Sequence, residues 1–191
     1  MTSHATELRY DPDPAVWLVG PDENRPPEVW VPGAVEAVVS DFSVTEKETE
    51  QYVERVLETF ARSAGPPLTE RLLRWRNIND DPFVTFLGMI EREHWSDDDL
   101  DAYLRSEEEA PVEPPVVEDV EAPGGRSIRR GIAYTSHPDG VVVGVRYVIE
   151  NGVPDLLAVM QTATRRPGQL IEALDDFDDL ARTVHVVASA A

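Results

Sequence analysis

Four carboxylates stand at the spacing of a calcium loop. Asp97-x-Asp99-x-Asp101 is followed by Glu108, matching positions 1, 3, 5 and 12 of an EF-hand. A hard divalent cation wants several oxygens converging, and this spacing supplies four. Position 6, where the loop needs Gly for its sharp turn, is Ala102. The competing reading is a helix start: Ser96 caps, Asp99 closes a capping box, and the acids suit the positive end of the helix dipole. A second acidic cluster, Asp175, Asp176, Asp178 and Asp179, reads as a helix cap at Asp175 followed by a solvated face.

Other catalytic chemistry has little to stand on. The four histidines, His4, His94, His137 and His185, share no metal-binding spacing. There is no Cys, so thiolate chemistry and Cys-ligated metals are excluded. No Walker loop, dinucleotide fingerprint or G-x-S-x-G elbow occurs, and no cofactor is implied. Polar residues that interrupt apolar strands, Tyr134, Arg146, Tyr147 and Gln161, are candidates for a pocket between the sheet and the last helix. Arg74, Arg76, Arg129 and Arg130, with Trp95, are candidates for an interaction surface. Clustered arginines on an acidic protein suit an acidic partner or the protein's own acidic segment; ordinary surface ion pairs are the plainer alternative.

The charge balance narrows the partners. The chain of 191 residues carries 37 Asp and Glu against 17 Lys and Arg, a net charge of −20. That disfavours nucleic acid and anionic membrane surfaces. Half of the net charge, −10, lies in the 27 residues from Ser96 to Ala122. All but one of the basic residues are Arg, the exception being Lys47, a bias of GC-rich bacterial genomes or salt-adapted proteomes. Met1-Thr2-Ser3-His4-Ala5 shows no secretory pattern, so the expected location is cytoplasmic.

The elements that must position these groups are read from periodicity. Ala15 to Val19 and Glu28 to Val31 read as short strands. Pro32 reads as the first turn of a helix to Asp41. Thr45 and Glu48 form a capping box for a helix to Ala64, whose stripe is Tyr52, Val53, Val56, Leu57, Phe60, Ala61 and Ala64, stopped by Gly65-Pro66-Pro67. Leu68 to Asn77 and Phe83 to Glu91 read as a hairpin. From about Glu107 the acidic, Pro-rich segment reads as an extended or disordered loop. Ile128 to Ser136, Val141 to Glu150 and Pro154 to Thr164 form a meander, with Asn151-Gly152 as a two-residue turn. A short helix begins at Pro167, and a last one follows Asp175, with Phe177, Leu180, Ala181 and Val184 on one face.

This pattern predicts one α+β domain over residues 1–191, with an acidic insertion at about 96–126. Its sheet should be a mainly antiparallel meander of five to seven strands, packed by the long helix and the C-terminal helix. The tail LLAVMQTATRRPGQLIEALDDFDDLARTVHV, Leu156 to Val186, resembles the PsbP-like αβα sandwich proteins, with an acidic-aromatic pair, Asp176-Phe177, at the last helix. The resemblance implies an adaptor, chaperone or accessory subunit rather than an enzyme, and transfers no functional residue. The expected function is therefore a non-enzymatic interaction protein with a protein partner. A pocket-bearing enzyme or small-molecule binder, and calcium binding by the 97–108 segment, are the alternatives.

Overall fold

The structure, a computed structural model, describes residues 6–65, 69–150, 153 and 155–188. The fold is α+β. A seven-stranded antiparallel sheet runs in the order β2-β3-β4-β8-β7-β6-β5, and a separate pair joins β1 to β9. The strands are β1 (Thr6–Arg9), β2 (Trp17–Val19), β3 (Thr69–Arg74), β4 (Phe83–Glu91), β5 (Val116–Asp119), β6 (Ile128–His137), β7 (Gly140–Glu150), β8 (Leu156–Thr164) and β9 (His185–Ala188). The helices are α1 (Pro27–Asp41), α2 (Lys47–Arg62), α3 (Asp97–Leu104), α4 (Pro167–Glu172) and α5 (Leu174–Thr183). Two compact units divide the chain: Pro14–Phe86, and a second drawn from Met1–Asp13 with Leu87–Ala191.

In the Pro14–Phe86 unit, α2 buries Val53, Leu57, Phe60 and Ala61, the i, i+4, i+7, i+8 stripe of an amphipathic helix. They pack with Trp30, Ala34 and Val38 of α1 and with Leu73 and Trp75. Glu28 to Val31 belongs to α1, not to a strand. Pro27 starts the helix, where its missing N–H costs nothing. Trp30 is thereby buried and donates its indole N–H to the Val19 carbonyl at 2.8 Å. Pro32 consequently lies inside the helix rather than at its start. The Thr45–Glu48 capping box does not form: α2 begins at Lys47 without a side-chain cap. Ser43 takes a left-handed φ of 52° and the Val44 N–H returns to the Val39 carbonyl at 2.9 Å, so the α1–α2 turn uses these residues instead.

The other unit is layered. Strands β6, β7 and β8 form the expected meander, pairing Arg130 with Tyr147 and Tyr147 with Met160. The expected turn residues Asn151 and Gly152 lie outside the described residues, as do Pro66 and Pro67. Strand alternation sends Arg129, Gly131, Arg146, Val148 and Gln161 to one face, and Arg130, Tyr134, Tyr147 and Met160 to the other. Helix α3 covers the first face, where Leu100 and Leu104 pack with Val148 and Leu157. Gly131 lets it come close: a Cβ there would sit 2.0 Å from the Leu104 carbonyl oxygen. Helix α5 serves the second face. Its Asp178 accepts hydrogen bonds from the Tyr147 hydroxyl and from Arg130, both at 2.7 Å.

The acidic segment, expected as extended or disordered, contains a 3-10 turn at Glu107–Glu109, a bridge between Pro111 and Thr135, and the extended edge strand β5. Glu118 and Asp119 stand directly across from Arg130 and Arg129, and opposite charges at facing positions stabilise the pairing. Asp175 is not a cap: α5 starts at Leu174 with Ala173 at its N-cap. His185 belongs to β9, where it pairs with Arg9 of β1.

Candidate functional site

A cavity of about 410 Å³ opens beside α3, lined by His94, Trp95, Asp99, Ala102, Tyr103, Glu108 and Arg146. Most of its lining comes from a short stretch of sequence. Strand β4 ends at Glu91, and a 3-10 turn, Arg92–His94, redirects the chain. The Arg92 guanidinium donates to the Trp95 carbonyl and pairs with Asp97, which fixes Trp95 at the entrance to α3. Ser96 then caps α3 in a full capping box: its hydroxyl accepts from the Asp99 N–H, while Asp99 accepts from the Ser96 N–H at 2.8 Å. These bonds hold the Asp99 carboxyl below its ordinary pKa, with the Ser96 hydroxyl contributing most.

The opposite wall comes from β7. Arg146 reaches the C-terminal end of α3, where helix carbonyls lack intrahelical partners. It donates to the Tyr103 carbonyl at 2.9 Å and pairs with Glu109. Its guanidinium lies over the Tyr103 ring, 5.0 Å from the centroid. Trp95 meets the same Tyr103 ring edge-on, with centroids 5.8 Å apart and planes at 87°. Burial pushes the Tyr103 phenol pKa well up, opposed in part by Arg146, so the hydroxyl is neutral. Glu108 is exposed and makes no polar contact to the described residues. The turn that carries it is bracketed by two non-glycine residues of left-handed backbone, Ser106 at φ 53° and Ala110 at φ 50°.

The other residues singled out from the sequence are distributed as follows. Of the four pocket candidates, Arg146 lines this cavity. Gln161 is its cross-strand neighbour on the same face. Tyr147 is fully buried on the opposite face, bonded to Asp178, and Tyr134 is on that opposite face too. Among the calcium candidates, Asp97, Asp99 and Asp101 are helical and turn to different partners: Arg92, Ser96 and Arg129. Glu108 lies on the later 3-10 turn. Of the interaction candidates, Arg129 and Arg130 are taken by Asp101, Glu118 and Asp178. Trp95 lines the cavity. Arg74 is buried over the Phe83 ring in the Pro14–Phe86 unit, where Arg76 also lies, exposed.

Sequence reasoning passed over Tyr103 and the group Glu91, Glu93 and His94. Tyr103 is a lone aromatic in a short acidic helix and carries no motif of its own. The other three offer one ligand atom each within 4.8 Å of one another, all exposed. Their signal was the sequence Glu91-Arg92-Glu93-His94, which has no standard metal spacing. His94 already faces Glu91 at 3.0 Å. Two further cavities lie within the Pro14–Phe86 unit. One, of about 330 Å³, is lined mainly by the α2 face around Tyr52, Val56 and Phe60; the other, of about 550 Å³, lies around Trp17, Phe42 and Trp75.

No protein-family model and no curated protein matches the chain. Among solved structures, one similar chain is LpqN of Mycobacterium tuberculosis, described as involved in cell envelope biogenesis. It is 9% identical with a TM-score of 0.51, over 97% of this chain and 86% of that one. At that identity the likeness concerns the fold alone.

Proposed function

We propose that this chain is a non-enzymatic interaction protein that holds a protein partner at the α3 cavity. One observation carries the reading. The acidic segment folds onto the sheet through its own arginines and leaves beside it a cavity with two aromatic walls and an unengaged carboxylate, Glu108. Aromatic side chains in a partly buried pocket are the usual anchors of protein interfaces. The groups there suit holding better than reacting: the one imidazole of the lining faces Glu91, and Asp99 is spent on the helix cap. The sheet arginines that would otherwise attract an acidic partner are engaged within the chain.

The cavity volume of about 410 Å³ also falls in the range of small-molecule sites, which supports ligand binding at the same place as a second reading. Affinity purification of the tagged full chain from its host, at low salt and again at high salt, separates the two. Cytoplasmic and envelope fractions are both sampled, the second because of the described role of LpqN. A stoichiometric partner that is lost on substituting Trp95→Ala is the expected result. A solitary chain in every fraction, with a co-purifying small molecule, overturns the interaction reading in favour of the second.

A further inference from the structure

Resting on that reading of the cavity, we propose that its occupant is a cationic side chain, an arginine or lysine presented by a basic segment of the partner. The walls are of the kind that attract cations. An aromatic face holds a guanidinium or ammonium group through its quadrupole, more strongly where water is partly excluded. Tyr103 already carries a guanidinium over its ring, that of Arg146. Trp95 stands at right angles to it and lines the same space. Two carboxylates, Asp99 and Glu108, complete the lining.

Arg146 does not reverse this preference. Its charge is matched by Glu109, one further donor is spent on the Tyr103 carbonyl, and its side chain is only 17% exposed. The local balance around the cavity is therefore negative. It lies beside the acidic segment, whose −10 is met only in part by Arg92, Arg129, Arg130 and Arg146, so a basic partner is drawn toward it from a distance. An anionic ligand would need Arg146 to leave Glu109 and would meet Asp99 and Glu108 on entry. The exposed Glu91 and Glu93 stand beside His94 of the lining and add negative charge nearby.

The test uses the full chain and two defined probes, agmatine as the cation and inorganic phosphate as the anion, followed by the Trp95 indole N–H signal in two-dimensional NMR at low ionic strength. Agmatine should shift that signal saturably. Glu108→Gln should weaken binding about threefold to tenfold, and Glu108→Lys should abolish it, with the spectrum otherwise native. Salt at 0.3 M should weaken it at least as much as Glu108→Gln does. A shift with phosphate and none with agmatine overturns the cationic occupant while leaving the cavity as a site. An agmatine response unchanged in Glu108→Lys also overturns it, because the cation is then bound elsewhere. If neither probe moves the signal, the cationic occupant fails, whereas failure of the partner reading itself shows separately as the absence of any captured protein.

Discussion

At the scale of single residues, the Tyr147–Asp178–Arg130 group is the most consequential. Tyr147 is fully buried, and Arg130 and Asp178 each expose only 13% of their side chains. Tyr147→Phe removes one hydrogen bond and leaves Asp178 held by Arg130, so urea denaturation at neutral pH should show a loss of about 1 kcal/mol. Asp178→Ala should cost more, roughly 2–4 kcal/mol, because it strands the Tyr147 hydroxyl and strips Arg130 of one of its two carboxylates. Burial first, and Asp178 second, push the Tyr147 phenol well above its ordinary pKa of 10.0. A group whose folded pKa is raised contributes stability that is complete below the unfolded value and is lost as pH rises toward the folded one. Stability should therefore fall above about pH 10, and Tyr147→Phe should flatten that alkaline decline. Equal slopes in the two proteins would show that Tyr147 is not its source. Gly131 is a second sensitive position. Gly131→Ala places a methyl against the Leu104 carbonyl, which is backbone and cannot swing aside, and should lower stability by about 1–3 kcal/mol in the same assay.

At the scale of elements, the capping box of α3 invites a direct test. Ser96→Ala should cost about 1 kcal/mol and should also weaken agmatine binding, since Asp99 then keeps only the residue 96 backbone N–H and is held less firmly at the cavity wall. A loss of stability with unchanged binding would show that the cap is structural only. The elements most legible in the sequence are those whose signal is local. Strand β4 begins and ends where its β-branched and aromatic run does, and β6, β7 and β8 match the three apolar runs read as a meander. Helix α2 follows its apolar stripe. Where the deciding partner is distant, local reading fails. Strand β5 is acidic and flanked by prolines, and it is ordered by arginines on the next strand. Glu28 to Val31 has strand-like composition, yet burial of Trp30 between α1 and α2 decides for helix. The candidate site divides the same way. Arg146 stood out as a charge in an apolar strand, but its meeting with Tyr103 follows from the β7 register and the placement of α3, neither of which a linear pattern encodes.

At the scale of the whole molecule, the net charge of −20 governs behaviour in solution. Like charges repel one another in the compact state, and salt screens them within about 10 Å at 0.1 M. The exposed ion pairs that salt would weaken are each worth little. Raising sodium chloride from about 0.01 M to 0.3 M should therefore raise Tm by a few degrees while slowing association with a basic partner. A Tm that falls with salt would mean that the internal pairs of Arg129, Arg130 and Arg146 outweigh the general repulsion.

Strand β1 pairs Thr6 with Ala188 and Arg9 with His185. On the ribosome those partners are made about 180 residues after β1. At roughly 5–20 residues per second, the N-terminal strand waits about ten to forty seconds for its complement. The Pro14–Phe86 unit is synthesised whole long before then. During that interval the nascent chain carries β1 without its partner strand, a place for a chaperone to hold and for neighbouring chains on the same message to entangle.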